Sequence, residues 1–457
     1  MRSYDTLVVG GGQAGLPLAL RAARHGRVAL VEREQLGGTC LNRGCIPTKT
    51  MIASAKVAQQ VRRAEQFGVR TGSPVVDLAA VVDRKDGIVT PIRDGAYRDV
   101  ARAANIDLLE GEGTFVGGRR FRVDDTELEA ARVFINAGAR HTRPAIDGLD
   151  TVEYLTSRSL LDLRDLPGHL LVVGGGYVGC EFAQMFRRFG SRVTIVQRGE
   201  RLLPAEEPEL SATVREAFEA EGIDVLAATT CTSTQAAGDQ IQIGCEGTER
   251  HEIEGSHLLI AAGRTPNSDT LGLDQLDIAP DEQGFVPVDD GLRTASDDVW
   301  ALGDVRGGPM FTHTARDDAY IVYRNVYRNE QRSIAGRVVP HAVFVDPEVA
   351  SVGMTEQQAR SAGHQLAIGR QDFRGVVRAR AIGETRGLIK FVADADTDRI
   401  LGCHIAGPHA GELIHEAVVA MVAGASYNDV RHAIHIHPTL SEGMNSAAGG
   451  VHRETST

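Results

Sequence analysis

Apolar residues enter this chain in short, nearly unbroken runs that end in glycine. Residues 5–15, DTLVVGGGQAG, read as a buried strand closing on Gly10-x-Gly12-x-x-Gly15. A helical spacing of apolar positions follows in LPLALRAARHG, then a second run, RVALVERE, that reaches the acidic Glu32. Runs that are apolar at every position mark strands covered on both faces, as in a parallel sheet between helices. Residues 50–105 carry a helical pattern rich in Arg and Asp, which predicts helices over the sheet with solvated outer faces. Short strands are predicted across 106–146, ending at Ala137-Gly138-Ala139, where small residues let the chain cross between domains.

The opening pattern then returns. Residues 169–179, HLLVVGGGYVG, repeat strand and glycines as Gly174-x-Gly176-x-x-Gly179, followed by a helix, CEFAQMFRRFG, and a strand, SRVTIVQR. A second small-residue crossing lies in GSHLLIAAGRTPN, with Gly263, and another buried strand, DVWALGD, ends in Gly303-Asp304 before a helical stretch beginning at ARDDAY. From about residue 338 the pattern changes to antiparallel strands (VPHAVFVDPEVASVG, GLIKFVAD, ILGCHIAGP). The helix predicted over 410–426 is too apolar for a solvated face, so it is expected to pack on another element or subunit.

Composition narrows the class. The 457 residues suffice for about three domains. A formal charge of −12 with no compensating basic run argues against nucleic acid as a partner. No apolar run is long enough to span a membrane, and a strand begins within five residues of Met1, so a cytoplasmic protein without a leader is expected. Six cysteines are too few for a disulfide framework.

Each glycine fingerprint sits between a strand and a helix, the context of a dinucleotide site. Glycines there allow a tight turn and close approach of a pyrophosphate, and the helix N-terminus favours its charge. The alternative is an ordinary strand–helix turn. Glu32 is placed to accept hydrogen bonds from a ribose. Two such units imply two dinucleotides, or one dinucleotide and one flavin nucleotide. The second unit carries Gln197-Arg198 where the first carries Glu32. A carboxylate would repel a 2′-phosphate; Gln197 removes that repulsion, and Arg198 or Arg201 would pair with the phosphate unless both are simply surface charges. NADPH is therefore expected over NADH. Asp304 reads as a ligand for sugar-alcohol hydroxyls of a flavin, or else as a helix cap.

The reactive chemistry lies in residues 37–49, GGTCLNRGCIPTK. Cys40 and Cys45 are close enough in sequence for their sulfurs to meet if the segment coils. Cys45 precedes a long helical pattern, and a helix N-terminus favours a thiolate. Near the end, His437 and Glu442 stand five residues apart in HIHPTLSE. They form a base and its orienter if the chain turns between them, or a surface cap if it does not. No Cys or Asp cluster joins the H-x-H spacing, so no metal is expected. Cys180, Cys231, Cys245 and Cys403 show no partner spacing and read as small apolar core residues.

These stretches, with AAGRTPN, ALGD and DPEVASVG in the same order, resemble the flavoprotein disulfide reductases, in the dihydrolipoamide dehydrogenase and mercuric reductase branch. The resemblance spans essentially the whole chain. It implies two Rossmann-type α/β domains, for FAD and NAD(P), plus a C-terminal α+β domain that makes a homodimer. It places FAD-binding residues in 1–146 and 269–336, NAD(P)-binding residues in 147–268, and the interface in 337–457. It implies that Cys45 is the thiolate facing the flavin and Cys40 the thiol that meets substrate. Lys49 would sit by the flavin and pair with Glu181, Tyr177 would gate the nicotinamide, and His437 with Glu442 would serve the partner's cysteines. Gly38, Thr39, Gly138, Gly263 and Gly303 would join the cofactor sites.

The expected activity is FAD-dependent reduction of a small disulfide, or oxidation of a dithiol, coupled to NADPH, with NADH as the alternative. A mercuric reductase is disfavoured: His437 stands where those enzymes usually have tyrosine, the tail GGVHRETST lacks a cysteine pair, and no metal-binding domain precedes the first strand. Dihydrolipoamide dehydrogenases match HPTLSE but usually carry a carboxylate at the position of Gln197. A flavin-dependent quinone or oxygen reductase, with incidental cysteines, and a redox-sensing binding module are the competing classes.

Overall fold

The computed structural model describes residues 1–453. Its first sheet orders the strands Ile106–Glu110, Val28–Glu32, Arg2–Val9, Thr126–Ile135, Arg120–Val123 and Gly113–Gly117, with Val299–Ala301 also paired to Thr126–Ile135. The all-apolar first run is divided between two faces. Leu7 and Val9 pack with Phe121 and Val133 on one side, while Val8 packs with Leu18 and Val322 on the other. Alternation across a strand makes this split unavoidable, and helices must cover at least one face to keep it dry.

The chain leaves this sheet through Ala139–His141 and returns through Arg264–Pro266, two segments that pair with each other as an antiparallel ribbon. Between them lies a four-stranded parallel sheet ordered Asp224–Leu226, Arg192–Val196, His169–Val173, His257–Ile260. A three-stranded antiparallel meander, Thr230–Ala237, Gln240–Glu246 and Arg250–Gly255, is inserted there. The strand Val299–Ala301 then rejoins the first sheet beside Thr126–Ile135 in parallel. The C-terminal part is a six-stranded antiparallel sheet from His341–Val343 to His452–Arg453, covered by the helix Ala410–Ala423. The α/β fold class read from the sequence is therefore the observed one. No helix among the described residues is long and apolar enough to cross a membrane.

Three local expectations change. The charged region after residue 50 is two helices, Cys45–Arg63 and Leu78–Arg102, and not all of its charges are solvated. Lys85 is buried, donating to the Leu161 carbonyl at 3.1 Å and to Asp162 at 2.7 Å. The apolar helix ends at Ala423, because Gly424 adopts φ +71° and closes it. It packs Leu413, Ile414 and Ala417 inward but leaves Val419 and Val422 exposed. Asp304 lies on a 3-10 turn, Gly303–Arg306, and caps no α-helix; the next helix runs from Thr312 to Arg328.

Candidate active site

Gly37 at φ +96° and Gly38 at φ +61° turn the chain into a short helix, Gly38–Arg43, that carries Thr39 and Cys40. Gly44 breaks it, and Cys45 becomes the first residue of the long helix Cys45–Arg63. The coil between the cysteines brings the thiols within hydrogen-bonding reach of each other, both reduced. Cys45 Sγ also lies 3.5 Å from Thr312 Oγ1, at the start of a helix 267 positions away in sequence. The Cys45 thiol is lowered to about 6, first by the hydrogen bond from Cys40, against burial, with help from Thr312 and the Lys49 charge. That same bond, with burial, pushes Cys40 up. The partner thiol is the largest cause of the lowering.

Lys49 lies one turn after Cys45. Its Nζ donates to both carboxylate oxygens of Glu181, at 2.9 and 2.8 Å, joining the helix Cys45–Arg63 to Tyr177–Phe189. Glu181 is buried and also accepts the Phe344 N–H at 2.9 Å. Tyr177, at the start of its helix, stacks on Phe311 and His341. Its hydroxyl donates to buried Glu206 at 2.9 Å; His341 Nε2 lies 2.6 Å from the same carboxylate oxygen, and the Ser351 hydroxyl donates to the other at 2.6 Å. Burial pushes Glu206 up, but these bonds outweigh it and hold it below the usual carboxylate range. Burial and Glu206 push the Tyr177 hydroxyl up. Thr312, Glu206 and His341 carried no motif signal, and Ser351 lies within DPEVASVG without a role apparent there, because each acts through a contact made by distant segments.

Both glycine turns need glycine. A Cβ on Gly15 would lie 1.9 Å from the Gly10 carbonyl oxygen, and one on Gly179 would lie 1.9 Å from that of Gly174. The ends of the two strands after the glycine turns are used alike. Glu32 accepts the Gly11 N–H at 2.9 Å, and Gln197 accepts the Gly175 N–H at 2.9 Å. Burial raises the Glu32 carboxyl, against the Gly11 hydrogen bond. Gln197 is thus the structural counterpart of Glu32 without its charge. Arg198 is exposed, with no hydrogen-bond or ion-pair partner among the described residues.

The residues for a flavin dinucleotide fit on their own geometry. Gly12 approaches Gly38, and Gly138 (φ +69°) would direct a Cβ into open space. Gly176 likewise faces open space in the second turn, and Gly263 (φ +121°) lies on the return crossing. Gly303 packs against Asn136, whose amide donates to the Gly10 carbonyl at 3.1 Å. Asp304 lies 3.3 Å from Arg264, and burial raises its carboxyl. Arg264 Nε is buried without a hydrogen-bond partner, which suits a polar group arriving there.

His437 and Glu442 meet across the turn, Nδ1 to Oε1, at 2.8 Å. Glu442 is held below its usual range by the Thr439 N–H and then by His437. His437 is exposed, and among the described residues no hydrogen bond or ion pair joins it to Cys40 or Cys45 of its own chain. The six cysteines include a pair the spacing did not reveal: Cys231 and Cys245 stand opposite each other in adjacent strands.

Comparison with known proteins places this geometry. The profile described as pyridine nucleotide-disulphide oxidoreductase matches residues 4–319, and that family's dimerisation domain matches residues 339–448. A dihydrolipoyl dehydrogenase of Haloarcula marismortui is 37% identical over 98% of this chain and 97% of its own length. A mercuric reductase of Lysinibacillus sphaericus is 35% identical over 98% of this chain and 82% of its own. The solved structure of the HOCl-induced flavoprotein disulfide reductase RclA from Escherichia coli superposes with a TM-score of 0.89. It is 34% identical and covers 98% of this chain and 99% of that one.

Proposed function

This chain belongs to the pyridine nucleotide-disulphide oxidoreductase family, and we propose that within it the enzyme uses NADPH to reduce a small disulfide through Cys40 and Cys45. The observation that supports this most is the asymmetric thiol pair, one thiol lowered to about 6 and the other raised, at the start of a helix beside Thr312 and Lys49. The Gly10–Gly15 turn, Glu32, Gly38, Thr39, Gly138, Gly303 and Asp304 would hold FAD, which would supply two-electron redox chemistry between nicotinamide and dithiol. The same reading assigns residues 1–146 and 269–336 to flavin binding, 147–268 to the nicotinamide nucleotide and 337–457 to the interface of a homodimer.

The residues divide the work by their protonation. Cys45 holds a thiolate, stabilised by the Cys40 S–H, by Thr312 and by the Lys49 charge. Cys40 is raised, so it needs a base before it can attack. A neutral imidazole accepts that proton near neutral pH, and Glu442 stabilises the charged ring that results. We assign this to His437, served from the partner subunit. Cys40 then attacks one sulfur of the substrate disulfide, and His437 returns the proton to the thiolate that leaves. Cys45 attacks Cys40 of the mixed disulfide, expelling the second thiolate, which takes a proton from solvent, and closing Cys40–Cys45. Lys49, anchored by Glu181, keeps positive charge beside Cys45. Tyr177, Glu206 and His341 hold the entrance on the nicotinamide side. Gln197 and Arg198 supply the preference for a 2′-phosphate.

The test is steady turnover of NADPH against a panel of lipoamide, glutathione disulfide and other small disulfides, with mercuric ion as a further member because of the relative so named. Cys40→Ser should abolish disulfide reduction. Turnover that survives Cys40→Ser with a quinone or oxygen as acceptor would replace this reading. The remaining four cysteines are buried, leaving only two thiols at the site to receive a soft metal.

A further inference from the structure

Cys231 lies on the strand Thr230–Ala237 and Cys245 on Gln240–Glu246, directly opposite each other in the antiparallel register. Opposed residues of such a pair hold their Cβ atoms about 4.5–5.5 Å apart, near the separation a disulfide spans. Both thiols are free and share a hydrogen bond. They are 6% and 1% exposed, in a cluster that also holds Val173, Val196 and Ile260, the last residues of three parallel strands. Ligands of open α/β sheets bind at that edge. The strand carrying Cys231 is an outer strand of its meander, and its ladder slips by one residue between Cys231 and Ser233. The strand's other side is held by Asp147, whose N–H donates to the Thr232 carbonyl at 3.0 Å and whose carbonyl accepts the Thr234 N–H at 2.7 Å, so a reagent reaches Cys231 when the bulge opens locally and releases that contact.

The segment just before Cys231 clasps the nucleotide strand end. Thr229 N–H donates to the Gln197 carbonyl and Ala228 N–H to that of Gly199, both at 2.9 Å. The Gln197 side chain in turn holds Gly175 of the second glycine turn. An S–S bond of about 2 Å is shorter than any thiol contact, so closing it draws on this clasp.

We infer that Cys231 and Cys245 are a second dithiol, separate from the catalytic pair, whose closure to a disulfide weakens binding of the nicotinamide nucleotide. The oxidant is a small disulfide, R–S–S–R. Cys231 gives up its proton to solvent and, as thiolate, attacks one sulfur and expels RS⁻, which takes a proton back from solvent. Cys245, losing its own proton, attacks the Cys231 sulfur of the mixed disulfide and expels the second thiol. Two protein thiols lose two electrons and two protons, and R–S–S–R becomes two RSH.

Trypsin releases Cys231 and Cys245 together on residues 216–250, and Cys40 and Cys45 on separate peptides, 34–43 and 44–49. The intact protein is treated with excess hydroxyethyl disulfide, free thiols are alkylated, and the peptides are weighed. The 216–250 peptide should carry no alkyl tag and return to two tags after dithiothreitol. Calorimetric titration with NADP⁺, which cannot reduce the protein, should show Kd raised about fivefold, the low end of ordinary coupling between sites. Cys231→Ser and Cys245→Ala, treated identically, should keep the untreated Kd, which removes any contribution of Cys40–Cys45. Two tags on 216–250 after treatment, or a closed pair with Kd unchanged, overturns the inference. Neither outcome depends on which disulfide the active site reduces.

Discussion

Cys45 shows how far one residue's chemistry depends on its neighbour. Its thiol is lowered to about 6 chiefly by the Cys40 hydrogen bond, so the thiolate predominates above that pH and is lost as pH falls through it. Alkylation of the reduced protein, followed on the peptide 44–49, should therefore show a midpoint near 6. In Cys40→Ala the midpoint should move upward, since no donor then remains opposite the thiolate. An unchanged midpoint would assign the shift to the helix and Lys49 instead. Gln197 is the second residue where one group decides. It occupies the position of Glu32 and makes the same bond to a glycine N–H, but without charge. Gln197→Glu should cut kcat/KM for NADPH relative to NADH by about tenfold, an effect of roughly 1.4 kcal/mol, near the low end of the scale of hydrogen bonds to charged groups. A wild-type preference for NADH above about tenfold would show that Gln197 and Arg198 do not read the phosphate.

Among elements, the contact between the helices Cys45–Arg63 and Tyr177–Phe189 carries the most consequence, because it ties the dithiol to the second glycine turn. Its polar centre is Lys49 on buried Glu181. Lys49→Met leaves that carboxylate with only the Phe344 N–H, a loss of about 2 kcal/mol for an unsatisfied buried group. Thermal unfolding of the flavin-loaded protein should show the drop. Adding Glu181→Gln should recover much of it, since no buried charge is then stranded. If the double variant is as unstable as the sum of the singles, the two side chains act independently. The helical pattern after residue 50 predicts solvated charges, but Lys85 is buried because the chain near Leu161 folds back over it, which a helical pattern alone does not reveal.

For the whole molecule, the geometry of His437 points beyond the single chain. Its ring is oriented by Glu442, yet no bond joins it to either active-site cysteine of its own chain among the described residues. The adjacent Ile434 and Ile436 are 101% and 78% exposed, and Val419 and Val422 of the apolar helix are also open. Apolar residues grouped in this way suit burial by a second copy, and the family's dimerisation domain covers 339–448. His437→Ala should lower disulfide turnover by about 10²–10⁴-fold while leaving reduction of the flavin by NADPH nearly intact. Homodimers of Cys40→Ser and of His437→Ala should both be nearly inactive. A heterodimer of the two keeps one site with all its groups and should regain about half the wild-type rate. Equal inactivity of all three would mean that each chain supplies its own histidine.

Backbone requirements were legible in the sequence alone. The two glycine fingerprints, the dithiol before a helix, and the change to antiparallel strands near residue 338 are local patterns, set by what neighbouring residues allow the chain to do. Gly15 and Gly179 are needed because a Cβ would strike a carbonyl five residues earlier, a constraint contained within one turn. The His437–Glu442 spacing was legible too, but whether the chain turned between them was not. Contacts between distant segments were decided only by the tertiary structure. Thr312 reaches Cys45 across 267 positions because a helix starts beside the dithiol. Glu206 joins Tyr177 to His341 because the C-terminal sheet docks on the second Rossmann unit. Cys231 meets Cys245 because a hairpin turn and a one-residue slip set their register, and a single-residue change in register would have turned one of them to the opposite face. Local patterns name which elements form. Which side chains meet follows from register and packing, summed over the whole chain.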